Sequence, residues 1–149
     1  MLYIIMATVL IQNFIRQLNE IQDGSLWFDQ SFKDKLNHVS DSDAFIRPIR
    51  EIHSVAEHVS HMVEWRHECI LRFNRGKTEL MYSPDDWKDN ITLQQLGWTN
   101  LKKALYDSKV DLINLISSRD DKYLETRCLE TDYNFKYLLE GIIGATNSN

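Results

Sequence analysis

The chain has 149 residues, 43% of them hydrophobic and 26% charged, which predicts one folded domain over residues 1–149 and excludes a disordered chain. A net charge of -5 with no lysine–arginine cluster argues against a nucleic-acid partner. The two cysteines, Cys69 and Cys128, match no zinc or redox motif and make no disulfide framework, so they read as reduced thiols of a cytoplasmic protein.

The apolar start, MLYIIMATVLIQNFIRQ, has no basic residue ahead of its apolar run and is too short to span a bilayer. It reads as a buried first helix from about Ala7 to Gln22, with Ile11, Phe14, Ile15, Leu18 and Ile21 at helical spacing and Asp23-Gly24 as the stop. Ser31–Leu36 and Ser42–Ile46 are candidate short helices within a long connection, and Pro48 marks an extended link.

The second long helix has a capping box, Ser54-Val55-Ala56-Glu57, and should reach about Asn74, with Gly76 just beyond. Ser83-Pro84-Asp85-Asp86 reads as the start of a short helical turn. Thr92-Leu93-Gln94-Gln95 reads as another capping box, opening a third long helix to about Ser117. Leu101, Leu105, Leu112, Leu115 and Ile116 form its stripe, and Trp98 stands at its start. A fourth helix is expected from Thr131 or Asp132, burying Phe135, Leu138, Leu139, Ile142 and Ile143. No strand alternation and no repeat is visible. Helices of this number and length predict an all-α four-helix bundle.

Four of the five histidines lie between Glu51 and Glu68: His53, His58, His61 and His67. His58 and His61 are three apart and therefore neighbours on a helix surface, so they could chelate a metal together. A metalloprotease-type H-E-x-x-H is absent, and a catalytic zinc ordinarily takes three protein ligands. On spacing alone the histidines form a partly exposed flank, and Glu57, Glu64 and Glu68 a solvated charged face. Cys69 reads as a small buried hydrophobe, and Trp27, Trp65, Trp87 and Trp98 as core. Asp85-Asp86 reads as helix capping rather than a carboxylate pair. No phosphate loop and no nucleophile elbow occurs.

The stretch SVAEHVSHMVEWR, Ser54 to Arg66, resembles the second-helix motif of the DinB/YfiT-like proteins. DGSLWFDQSF from Asp23, RPIREIHSVAEH from Arg47, the PDDW of Pro84–Trp87 and YNFKYLLEGII from Tyr133 resemble the same family in the same order, from about Ile11 to Ile143. The resemblance implies an up-down-down-up bundle, often a homodimer, with a three-histidine site for zinc or nickel. Its members include thiol transferases and hydrolase-like proteins acting on small molecules. In the family pattern the first metal histidine precedes a tryptophan by four positions, which is the place of His61 before Trp65. The other two ligands normally follow Gly-Ile-Ile as H-x-x-x-H. Here Gly141-Ile142-Ile143 is followed by GATNSN, and no histidine follows His67.

The expectation is therefore a DinB-like bundle with a shortened fourth helix and an incomplete metal site. His61 is its one assigned ligand, and no catalytic residue is assigned. Zinc or nickel should bind weakly or not at all, and exposed apolar surface should favour a dimer. Two other readings stand beside it: a non-catalytic, self-associating bundle, and a small-ligand module with an aromatic-lined pocket. Neither a nucleic-acid nor a membrane partner is expected.

Overall fold

The computed structural model describes residues 7–22, 32–74, 80 and 83–147. Among the described residues the protein is all-α: helices α1 (Val9–Gln22), α2 (Phe32–Asn37), α3 (Val55–Phe73), α4 (Asn90–Leu96), α5 (Trp98–Ser117) and α6 (Phe135–Asn147). Two short 3-10 turns, Asp43–Phe45 and Tyr123–Glu125, join them, and among the described residues the only bridge is the isolated Arg127–Asn134 pair. No described helix is long and apolar enough to cross a membrane.

The four longest helices pack pairwise, α1 on α5 and α6, and α3 on the same two. The core divides along their length. One cluster joins Ile11, Phe14 and Leu18 of α1 to Cys69 and Phe73 of α3, Leu112 and Ile116 of α5, and the apolar face of α6. The other joins Ala56, Val59, Met62 and Val63 of α3 to Trp98, Leu101 and Leu105 of α5, under Leu36, Ala44 and Leu93. First halves thus meet first halves and last halves meet last halves, so α3 and α5 run parallel. The connection between them therefore returns along the full length of the molecule, and it carries the residues that face the first half of α3.

The ends of these helices have identifiable causes. Ser54 starts α3 with both halves of the capping box: Glu57 N–H donates to Ser54 Oγ (3.1 Å), and Ser54 N–H donates to Glu57 Oε1 (3.0 Å). The first helix is capped from a distant part of the chain. Its Leu10 and Ile11 N–H groups donate to Asp121 Oδ2 and Oδ1, each at 2.9 Å, and Asp121 N–H donates to the Ala7 carbonyl at 2.7 Å. That carboxylate supplies what an N-cap residue supplies elsewhere, from the turn after α5.

Several sequence expectations are corrected. Thr92–Gln95 is not a capping box. Asp89 caps one turn earlier, accepting from Thr92 N–H at 2.8 Å, and its helix ends at Gly97, whose φ of 94° breaks the run. The expected third helix is thus two, α4 and α5. Ser83–Asp86 forms a hydrogen-bonded turn, not a helix. The last helix starts at Phe135 rather than Thr131 or Asp132. Glu130 sits at φ 58°, the Arg127–Asn134 bridge holds the preceding loop, and Asn134 Oδ1 caps Tyr137 N–H at 2.9 Å. This helix continues past Ile143 to Asn147. The Asp23-Gly24 stop, Trp27 and Gly76 lie outside the described residues.

Candidate functional site

The site gathers at the first half of α3, where the 46–52 link, the helix and the 83–89 turn meet. The link is anchored by Arg47, whose Nε and Nη2 donate to the two oxygens of Glu57 at 2.9 and 2.6 Å, while Nη1 donates to the Arg50 carbonyl. Burial pushes the Glu57 carboxyl upward, but Arg47 and the Ser54 N–H and hydroxyl outweigh it and hold it down at about 2. Ser54 Oγ donates in turn to Asn90 Oδ1 at 2.7 Å, tying the start of α3 to the start of α4.

One turn further along α3, His61 and Trp65 grip a single residue of the returning connection. His61 Nδ1 lies 2.9 Å from both the carbonyl oxygen and Oδ1 of Asp86, and Trp65 Nε1 donates to the same Oδ1 at 2.8 Å. With only acceptors before it, Nδ1 carries the hydrogen, and in the neutral ring Nε2 keeps the lone pair. Lys88 pairs with Glu64 at 2.9 Å and fixes the far side of the turn.

Trp87 is held between histidines. Its ring stacks on His53 (3.9 Å between centroids, planes 10° apart) and on His61 (3.8 Å, 10°). Two parallel imidazoles cannot lie side by side on one face at those distances, so they occupy opposite faces of the indole. His58 meets Trp87 edge-on at 5.5 Å and His53 at 5.8 Å. Burial lowers the pKa of His58, and the nearness of His53 and His61 lowers it further against an opposing pull from Glu57. At neutral pH His58 is thus an uncharged imidazole with a lone pair.

Of the residues singled out from sequence, His61 is half-buried and engaged by Asp86, and His67 is exposed on another face of α3. His53 and His58, read as bystanders, surround Trp87 together with His61. Glu57 and Glu68 do not form a solvated face: both are buried, paired with Arg47 and Arg72. Asp86 does not cap a helix but receives His61 and Trp65. Trp98 is core, as read, whereas Trp87 is 36% exposed. Cys69 and Cys128 are free, buried thiols, pushed upward by burial. The periodicity of α3 could not reveal Trp87 as a centre, because its partners come from the link, the helix and the turn.

The fit to a metal can be tested on the donors themselves. His61 has the form of a ligand, with a carboxylate on the ring nitrogen opposite the free one. All five histidines and both cysteines are described, yet among the described residues no group of three His, Cys, Asp or Glu side chains stands where it could hold an ion. A catalytic zinc needs three, so the assembled residues do not fit such a site. An open groove of about 390 Å³ nearby is lined by Glu64, His67, Glu68, Leu71, Leu80, Ser83 and Asp85, not by tryptophan. Its Glu64 and Glu68 are already paired with Lys88 and Arg72.

No family model matches this chain, and no solved structure matches it either.

Proposed function

We propose that the protein is a DinB/YfiT-type helical bundle, of a lineage of divalent-metal-dependent transferases and hydrolases, in which His61 keeps the first metal position of an incomplete site. The observation that carries this reading is the joint hold of His61 and Trp65 on Asp86. The pair whose spacing underlies the resemblance meets the PDDW segment that underlies it too, and the contact leaves His61 Nε2 as the donor nitrogen. The course of the long helices agrees with an up-down-down-up bundle. α3 and α5 run parallel, α1 begins beside the end of α5 at Asp121, and α6 begins where the Phe135 ring packs, tilted, against Phe73 at the end of α3.

One imidazole holds zinc or nickel weakly. Tag-free protein equilibrated with either metal and dialysed should retain well under one ion per chain. Stoichiometric metal surviving dialysis, lost in His61→Ala, would refute the incomplete site.

A second reading, self-association, is favoured by Ile46, Ile49 and Ile52 of the link, which are 59%, 55% and 48% exposed. On this reading the protein is a homodimer, and light scattering that gives a clean monomer mass at tens of micromolar would remove it.

A further inference from the structure

We propose that the protein is a two-fold homodimer whose interface is the apolar face built from the 46–55 and 87–91 segments, with Arg50 of each copy set against Glu51 of the other. This rests on the self-association reading and gives it a surface, an axis and a pairing.

Of the large hydrophobics left exposed among the described residues, half lie on these two short segments: Ile46, Ile49, Ile52, Val55, Trp87 and Ile91. Ile91 is the most exposed of all, at 71%. Two contacts bring the segments together. The His53 ring stacks on Trp87, and Ser54 Oγ donates to Asn90 Oδ1 at 2.7 Å. Ile52 and Val55 flank His53 and Ser54, and Ile91 follows Asn90, so these side chains share one end of the molecule. The link keeps its shape unaided: Glu57 clamps Arg47, and Ile52 N–H donates to the Ile49 carbonyl at 3.1 Å. The face is therefore preformed, and little ordering opposes binding.

Six such side chains, about half exposed, present on the order of 500 Å² of apolar surface, as large as the biggest patches on monomers. A standard interface covers roughly 800 Å² on each partner. The exposed Pro48 ring and the stems of Arg47 and Arg50 bring the face to that size.

The charges identify the occupant. Five charged residues lie on the two segments, and three are already engaged: Arg47 with Glu57, Lys88 with Glu64, and Asp89 with the Thr92 amide. Arg50 and Glu51 remain, adjacent, exposed and opposite in sign, with no side-chain partner among the described residues. Such a face has no net charge to offer an anionic membrane or a nucleic acid. It is instead its own complement, which is what a two-fold interface requires. An axis through the Arg50–Glu51 step sets each arginine against Glu51 of the partner subunit, twice over. Exposed pairs of this kind add little affinity, but they fix the register, while burial of the isoleucines supplies the hold.

The test is sedimentation equilibrium of tag-free protein, which should be a dimer at tens of micromolar. Ile49→Asp and Ile91→Asp should each raise the dimer Kd at least tenfold. Val110→Asp, exposed on α5 outside the face, should leave it unchanged. Arg50→Glu alone and Glu51→Arg alone should each weaken the homodimer. The two singly reversed chains, once mixed, should pair with each other, because every contact is then opposite in sign again. Far-UV circular dichroism checks the fold of each variant. An unaltered protein that is monomeric overturns both this interface and self-association. So does a monomer that sediments only with anionic phospholipid vesicles, which would assign the face to a membrane. A dimer unchanged by Ile49→Asp and Ile91→Asp overturns this interface alone and leaves self-association through another face standing. Reversed chains that pair no better mixed than apart overturn the two-fold pairing.

Discussion

Arg66 offers a sharp test of how the core is balanced. Its side chain is 2% exposed between α3 and α5. Nη1 donates to the Leu105 carbonyl at 3.0 Å and Ser108 Oγ at 3.2 Å, Nε has no partner, and no described carboxylate pairs with it. Burial lowers the guanidinium from 12.5 to about 10. At about 1.4 kcal/mol per pH unit, holding the charge there costs on the order of 3 kcal/mol. Arg66→Met removes that cost along with the two hydrogen bonds, which contribute roughly 1–2 kcal/mol net. It orphans nothing, because Ser108 Oγ keeps its own bond to the Leu105 carbonyl at 2.7 Å. The expected balance is a gain of about 1–2 kcal/mol, as when a buried ion is replaced by a packed apolar chain. Arg66→Ala should instead lose about 2–4 kcal/mol to the cavity it opens. Urea unfolding at a constant m of about 1–3 kcal/mol per molar should move the midpoint up by roughly 0.5–1 M for Met and down for Ala. If the methionine variant falls as far as the alanine one, the guanidinium is compensated and this reasoning fails.

Asp121→Ala should cost about 1–2 kcal/mol, the loss of a cap, and amide exchange should quicken first at Leu10 and Ile11; exchange that quickens evenly along all helices would contradict the long-range cap. Glu57, held at about 2 against roughly 4.3 in the unfolded chain, contributes stability that is fully present above pH 4.3 and lost as pH falls toward 2. Because Arg47 is 39% exposed, solvent screening reduces that contribution to about 1–2 kcal/mol. Glu57→Gln should therefore be less stable at pH 7 and show a flatter acid limb between pH 4.3 and 2, and parallel limbs would show that Glu57 is not the group responsible.

Much of the fold is local and was therefore legible. Ser54 with Glu57 three residues on places the start of α3 to the residue, because a capping box closes within one turn. The stripe from Leu101 to Ile116 reads directly as a buried face. What the sequence hides is whatever depends on a distant partner. Glu57 and Glu68 look like surface acids until Arg47 and Arg72 reach them. Gly97 looks like a tolerable glycine in a helix until Asp89 supplies an earlier cap and φ turns positive. His61 was marked by its spacing to Trp65, whereas Trp87 became a centre only when the returning connection laid it among three histidines.

The capping of α1 by Asp121 also sets an order in time. During synthesis the carboxylate that receives the Ile11 amide of α1 leaves the ribosome 110 residues after it. At about 5–20 residues per second that group arrives roughly 5–20 s later. Until then the amphipathic first helix has neither its end group nor the α5 and α6 faces it covers. α1 thus emerges well before the groups that complete it, and its apolar face stays uncovered until they arrive.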